Sequence, residues 1–96
     1  MKSSKSFQDK VVVITGAGKG IGKGLCEELV RLGARVVAIT RSKEDLDELS
    51  GCYKKIQADL GVAEECIKAA EEAGDVDYLI NNAAVAVLEG FLETKL

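Results

Sequence analysis

Apolar positions along the chain follow two alternating patterns. Val11-Val12-Val13-Ile14-Thr15 is an unbroken, β-branched run, the pattern of a strand covered on both faces, as in a parallel sheet. After a cluster of glycines, Ile21, Leu25, Leu29 and Leu32 recur at three- and four-residue spacing. Lys23, Glu27, Glu28 and Arg31 lie between them, which predicts an amphipathic helix with Ile21, Leu25, Leu29 and Leu32 on its apolar side, ended by Gly33. A second buried strand is predicted over 35–40. Ser42 is placed to cap a short helix carrying Leu46 and Leu49, with Gly51 ending it. A weaker strand follows over 54–58. Residues 62–73 then read as a helix with Cys66, Ala69, Ala70 and Ala73 inward, stopped by Gly74. A fourth strand is predicted over 76–80, with Tyr78 in the core because apolar residues flank it.

Strand and helix thus alternate three times and end on a strand. This order predicts an α/β fold: a parallel sheet with right-handed crossovers, the first half of a doubly wound architecture. Residues 1–9 read as a polar lead-in and 10–96 as part of a single domain. Residues 85–96 resemble the entrance to a further element. The fourth strand is expected to leave an open edge and uncovered apolar surface.

Composition narrows the function classes. At 47% apolar and 30% charged residues the chain is globular rather than disordered. A net charge of −3 gives no reason to expect a nucleic-acid partner. The charge is uneven: residues 1–43 hold nine Lys/Arg and three Asp/Glu, whereas 44–96 hold four and thirteen. Either these are solvated helix faces of opposite sign, or some of the early cations face a phosphate-bearing ligand. Cys26, Cys52 and Cys66 are odd in number and widely spaced, so neither a disulfide framework nor a zinc site is suggested. They read as small apolar fillers in a reducing compartment. No stretch has the length and apolarity of a signal or membrane anchor, and a cytoplasmic location is expected.

Five of the ten glycines fall between Gly16 and Gly24. They join the first strand to the first helix, where unpaired N–H groups and the positive end of the helix dipole favour phosphate. Glycine there lets the backbone turn sharply and a pyrophosphate approach closely. The G-x-G-x-x-G spacing does not fit, because Ile21 stands at the third glycine position. A P-loop fails as well, because Gly22-Lys23 is followed by Gly24. The spacing that fits is T-G-x-x-x-G-x-G through Thr15, Gly16, Gly20 and Gly22.

That pattern, written here Thr15-Gly16-Ala17-Gly18-Lys19-Gly20-Ile21-Gly22, resembles the N-terminal motif of the short-chain dehydrogenases/reductases. Asn81-Asn82-Ala83-Ala84, at the end of the fourth strand, is similar to the family's N-N-A-G, with Ala84 replacing its glycine. Asp59-Leu60 follows the third strand, where the family places an aspartate against the adenine. The resemblance extends from Lys10 onward and implies a Rossmann-type nucleotide-binding domain. The motif wording, including Ala38-Ile39-Thr40-Arg41 and Asp59-Leu60-Gly61, is closest to members that reduce dicarbonyls and ketoses.

The cofactor expected is NADP(H). An acid at the end of the second strand would accept from a ribose 2′-hydroxyl, and Thr40-Arg41 stands there instead. Arg41 can clamp a phosphate in bidentate fashion, and Lys19 is expected nearby. Gly16, Gly18, Gly20, Ile21 and Gly22 complete the loop. Asp59 and Leu60 are expected at the adenine, Asp59 alternatively serving as a turn or cap residue. Asn81 is expected at the adenosine ribose, alternatively bracing the strand end, and Ala83 is expected among the cofactor-binding residues.

The resemblance also implies a catalytic serine and a Y-x-x-x-K pair, which this sequence lacks. Tyr53 is followed four positions on by Gln57 and Tyr78 by Asn82, and there is no histidine. No residue here is assigned a catalytic role. The 96 residues are expected to be the N-terminal portion of a longer oxidoreductase and inactive alone. The whole protein is expected to reduce a small carbonyl substrate and to form a homo-oligomer, a tetramer by family likeness. Two alternatives stay open: a non-catalytic nucleotide-binding module, and a family reductase of another substrate class such as 3-oxoacyl thioesters.

Overall fold

A computed structural model of the protein describes residues 7–82. Strands β1 (Val11–Thr15), β2 (Arg35–Thr40), β3 (Lys54–Gln57) and β4 (Tyr78–Asn81) form one sheet in the order β3-β2-β1-β4. Every pair is parallel. Helices α1 (Gly20–Arg31), α2 (Lys43–Glu48) and α3 (Ala63–Ala73) make the crossovers. The predicted fold class and order of elements are therefore those observed.

The unbroken apolar runs are explained by covering on both sides. Successive side chains of a strand point to opposite faces. Val12, Ile14, Val36 and Ala38 pack with Cys26, Leu29, Leu46 and Leu49 on the α1–α2 side. Val13, Val37, Ile39 and Ile56 pack with Cys66, Ala69, Ala70 and Ala73 of α3. Burying each Val or Ile is worth about 1.5–3 kcal/mol. The chain steps outward from β1 through β2 to β3 by way of α1 and α2. It then returns by α3, on the opposite face, to the far side of β1. Reversal of direction in such a sheet leaves a crevice at the strands' carboxyl ends.

Several details differ from the sequence expectation. The buried residues of α1 are Gly22, Cys26 and Leu29, while Ile21 is 75% exposed and Leu25 36% exposed. The helix docks through its glycine, which no reading of large apolar residues would place inward. Helix α2 ends at Glu48, and Gly51 (φ 79°) belongs to the turn before β3. Strand β4 starts at Tyr78 rather than Val76, and Tyr78 is 46% exposed. Its ring lies 5.6 Å from that of Phe7, itself packed on the α1–α2 core, so the end of the expected lead-in rests on the domain. Among the described residues β4 pairs with β1 only. Expectations for Ala83 and for 85–96 lie outside the described residues. No described helix is long and apolar enough to cross a membrane. No group of three or more His, Cys, Asp or Glu among the described residues is placed to hold a metal ion.

Candidate nucleotide-binding site

The crevice holds a cavity of about 360 Å³ at the carboxyl ends of β1, β2 and β3. Gly16, Gly18 and Lys19 line it from the loop after β1. Ile39, Thr40, Arg41, Ser42 and Asp45 line it from the end of β2 and the start of α2, and Ala58, Asp59, Leu60 and Gly61 from the loop after β3. Three loops, each following a parallel strand, thus surround one space.

The glycine loop is shaped by close approaches. Gly16 (φ 62°) and Gly20 (φ 55°) adopt left-handed conformations that side chains rarely take. A Cβ on Gly22 would fall 2.1 Å from the Gly16 carbonyl oxygen, so α1 sits against the loop as closely as backbone permits. At Gly18 a Cβ would meet that of Asp45 at 2.6 Å, which seats the loop against α2. At Gly20 a Cβ would meet nothing within 4 Å, so this glycine faces open space. Helix α1 begins there without a side-chain cap and without an acid in its first turn. Its first N–H groups and the positive end of its dipole are thereby left to a phosphate.

The far end of the loop is latched to β4. Thr15, 1% exposed, donates from Oγ1 to Asn81 Oδ1 at 2.9 Å and accepts from the Asn82 backbone N–H at 3.0 Å. Asn82 Nδ2 donates to the Gly16 carbonyl at 3.2 Å. These bonds follow from the register that pairs Thr15 with Asn81. At the other wall, Ser42 Oγ accepts from the Asp45 N–H at 3.2 Å and starts α2 beneath the end of β2. The Arg41 carbonyl accepts from Gln57 Nε2 at 3.1 Å, which ties the β2 end to β3. Asp59 Oδ1 accepts from the Gly61 N–H at 3.0 Å, and the Asp59 N–H donates to Glu65 Oε1 at 2.8 Å. The Asp59 carboxylate is thus set in an Asx-type turn on the cavity wall, with lone pairs left for a further donor.

A model of the short chain dehydrogenase family matches residues 10–96. This chain belongs to that family. L-xylulose reductase of Homo sapiens is 49% identical over 85 residues, covering 85% of this chain and 35% of that protein. Carbonyl reductase 2 of Sus scrofa, whose name specifies NADPH, is 45% identical over 92 residues, covering 93% of this chain and 38% of that protein. A short chain dehydrogenase from Bacillus anthracis, known from a crystal structure, is similar with a TM-score of 0.68 at 37% identity, over 78% of this chain and 35% of that one. The chain spans about a third of the length of the curated relatives it matches.

In this short-chain dehydrogenase the expected site residues separate into groups. Gly16, Gly18, Lys19, Thr40, Arg41, Asp59 and Leu60 surround one cavity. Gly20 and Ile21 stand exposed at the start of α1, outside the residues lining that cavity. Gly22 lies buried beneath the loop, and Asn81 is engaged by Thr15 at the end of β4, so its bracing role is the one the bonds display. Ala83 lies outside the described residues. Asn82, Ser42 and Asp45 were not expected as site residues. Ser42 was foreseen only as a helix cap, and the Asn82 contact depends on a strand register that spacing does not reveal.

Proposed function

We propose that this chain binds NADP(H), and that the protein containing it reduces a small carbonyl compound, a ketose or an α-dicarbonyl. The carrying observation is that Lys19 and Arg41 line the same cavity from two neighbouring loops, while the end of β2 itself is Thr40-Arg41 with no carboxylate at the position where a ribose 2′-hydroxyl is accepted, the nearest lining acid in sequence being Asp45 in α2. In this reading the guanidinium of Arg41 and the ammonium of Lys19 take the 2′-phosphate. Gly16, Gly18, Gly20, Ile21, Gly22 and the start of α1 border the pyrophosphate. Asp59 accepts from the adenine amino group beside Leu60, and Asn81 is assigned to the ribose. The cofactor supplies a hydride. These 96 residues hold no Y-x-x-x-K pair, and in this reading a longer protein supplies the serine and the tyrosine–lysine pair that polarise the carbonyl and donate a proton. The 96 residues alone bind nucleotide without turnover. The names of the L-xylulose and carbonyl reductase relatives support the substrate class and NADPH, and the reading places the protein in the cytoplasm as a homo-oligomer.

Arg41→Glu in the full-length protein tests the assignment by titration with NADPH and NADH. Loss of a charge-assisted phosphate contact worth about 1.5–3 kcal/mol predicts NADPH affinity lower by at least roughly tenfold. NADH binding is expected to be unchanged or improved. An equal loss for both nucleotides, or none for either, overturns the assignment.

A further inference from the structure

The three cysteines are not equivalent. Cys66 lies in α3 on one face of the sheet. Cys26 lies in α1 on the other face, buried, and Cys52 lies half-buried in the turn between α2 and β3. The Sγ atoms of Cys26 and Cys52 are 3.7 Å apart although 26 positions separate the residues. The turn is brought down on the helix by Gly51, which has φ 79° and where a Cβ would fall 2.6 Å from Val30 Cγ1. We propose that Cys26 and Cys52 are a reversible oxidation site: a peroxide reacts first at Cys52, and Cys26 then closes a disulfide.

The division of roles follows from the surroundings. The two sulfurs share a hydrogen bond in which either can donate, and this contact together with Lys55 brings the Cys52 thiol down to about 7. The same shared proton, reinforced by burial, pushes Cys26 well above the ordinary thiol range. Burial alone raises Cys66. The reactive form of a cysteine is the thiolate, and Cys52 is both the more exposed sulfur of the pair and the one held in that form near neutral pH. In the first step the Cys52 thiolate attacks one oxygen of the peroxide: an S–O bond forms, the O–O bond breaks and hydroxide leaves. In the second, Cys26 sulfur attacks the Cys52 sulfenic sulfur: the S–S bond forms, the S–O bond breaks and water leaves with the Cys26 proton. Two thiols and one hydrogen peroxide become one disulfide and two waters. The sulfurs must close from 3.7 Å to about 2.05 Å by rotation about the Cα–Cβ bonds. A thiol reductant reverses the bond, as suits a transient disulfide in a reducing compartment.

The test is a peptide map of the full-length protein treated with hydrogen peroxide, blocked with N-ethylmaleimide under denaturing conditions and digested with trypsin. Peptides 24–31 and 44–54, which carry Cys26 and Cys52, are expected joined and lighter by two hydrogens, and separated by dithiothreitol. Cys66, in peptide 56–68, is expected to be recovered as the blocked thiol. Cys26→Ala is expected to leave a sulfenic acid on Cys52 that dimedone traps, and Cys52→Ser to leave Cys26 unoxidised. Before oxidation, iodoacetamide at pH 7 is expected to label Cys52 roughly tenfold or more faster than Cys66. The proposal is overturned if the wild-type map returns both peptides singly blocked, if either cysteine pairs elsewhere, or if Cys52 labels no faster than Cys66. These readouts are chemical and do not depend on which nucleotide binds.

Discussion

Alanine at Gly22 measures how closely α1 must approach the end of β1. The added Cβ would lie 2.1 Å from the Gly16 carbonyl oxygen, 3.0 Å from its carbon and 2.7 Å from Asn82 Nδ2. A relaxed carbon–oxygen contact is roughly 3.3–3.6 Å, so the helix start must retreat by roughly 1 Å. Two of the three opposing atoms are backbone and cannot swing aside. Overpacking of this kind costs about 1–3 kcal/mol. In a chain as long as the curated relatives, that lowers the melting temperature by roughly 2–12 °C. A shift of roughly 1 Å at the turn proposed to hold the pyrophosphate also predicts an NADPH affinity lower by on the order of tenfold or more. Gly24→Ala is the control, since a Cβ there meets nothing within 4 Å and the position is inside the same helix. It is expected to stabilise by about 0.5–1 kcal/mol through backbone entropy. Thermal melts and NADPH titrations of the two full-length variants provide the assay. If Gly22→Ala melts and binds like the wild type, or if Gly24→Ala loses as much, the close-approach argument is wrong.

Three further outcomes are expected. Thr15→Val removes the hydroxyl that bonds both Asn81 and Asn82 and should cost about 1–3 kcal/mol in urea unfolding, with Thr15→Ser retaining most of the stability. Ser42→Ala removes the cap of α2 and should cost about 1 kcal/mol, read from the same transition. The iodoacetamide labelling rate of Cys52 should rise with pH, because the thiolate forms as pH increases. Its half-maximum should lie near pH 7 rather than near the ordinary 9.0 and should move upward on Lys55→Gln, since that cation favours the thiolate.

How far each element could be read in advance depended on what buries it. β1 and β2 are covered on both faces, so their apolar runs mark their limits. In α3 the inward alanines and Cys66 alternate with charged residues, and the buried set is the one the spacing predicts. α1 was harder because its most closely packed residue is Gly22, which carries no hydrophobic signal, while Ile21 and Leu25 carry a strong one and stay exposed. Tyr78 misled for a related reason: its apolar neighbours in sequence do not fix its exposure, and among the described residues β4 pairs with β1 only. That Gly16, Gly18, Arg41 and Asp59 would meet around one cavity was legible because each follows a strand end at a family spacing. The Asn82 bond to Gly16 and the meeting of Cys26 with Cys52 were not legible. Both join residues far apart in sequence, and proximity of that kind depends on register and on how a turn is seated, which cysteine spacing cannot supply.

The place of β1 in the sheet bears on how the molecule is made. β1 precedes the other described strands in the chain, yet one of its two neighbours is β4, and the Thr15–Asn81 bond spans 66 positions. At synthesis rates of about 5–20 residues per second, roughly 3–13 seconds pass between the emergence of those two residues. During that interval one side of a Val-rich strand has no partner, and such edges are templates for aggregation. Of the described strands, β1 waits longest for its second neighbour, so nascent chains of this protein are expected to need chaperone cover over this interval, and slowing translation between β1 and β4 should lower the soluble yield.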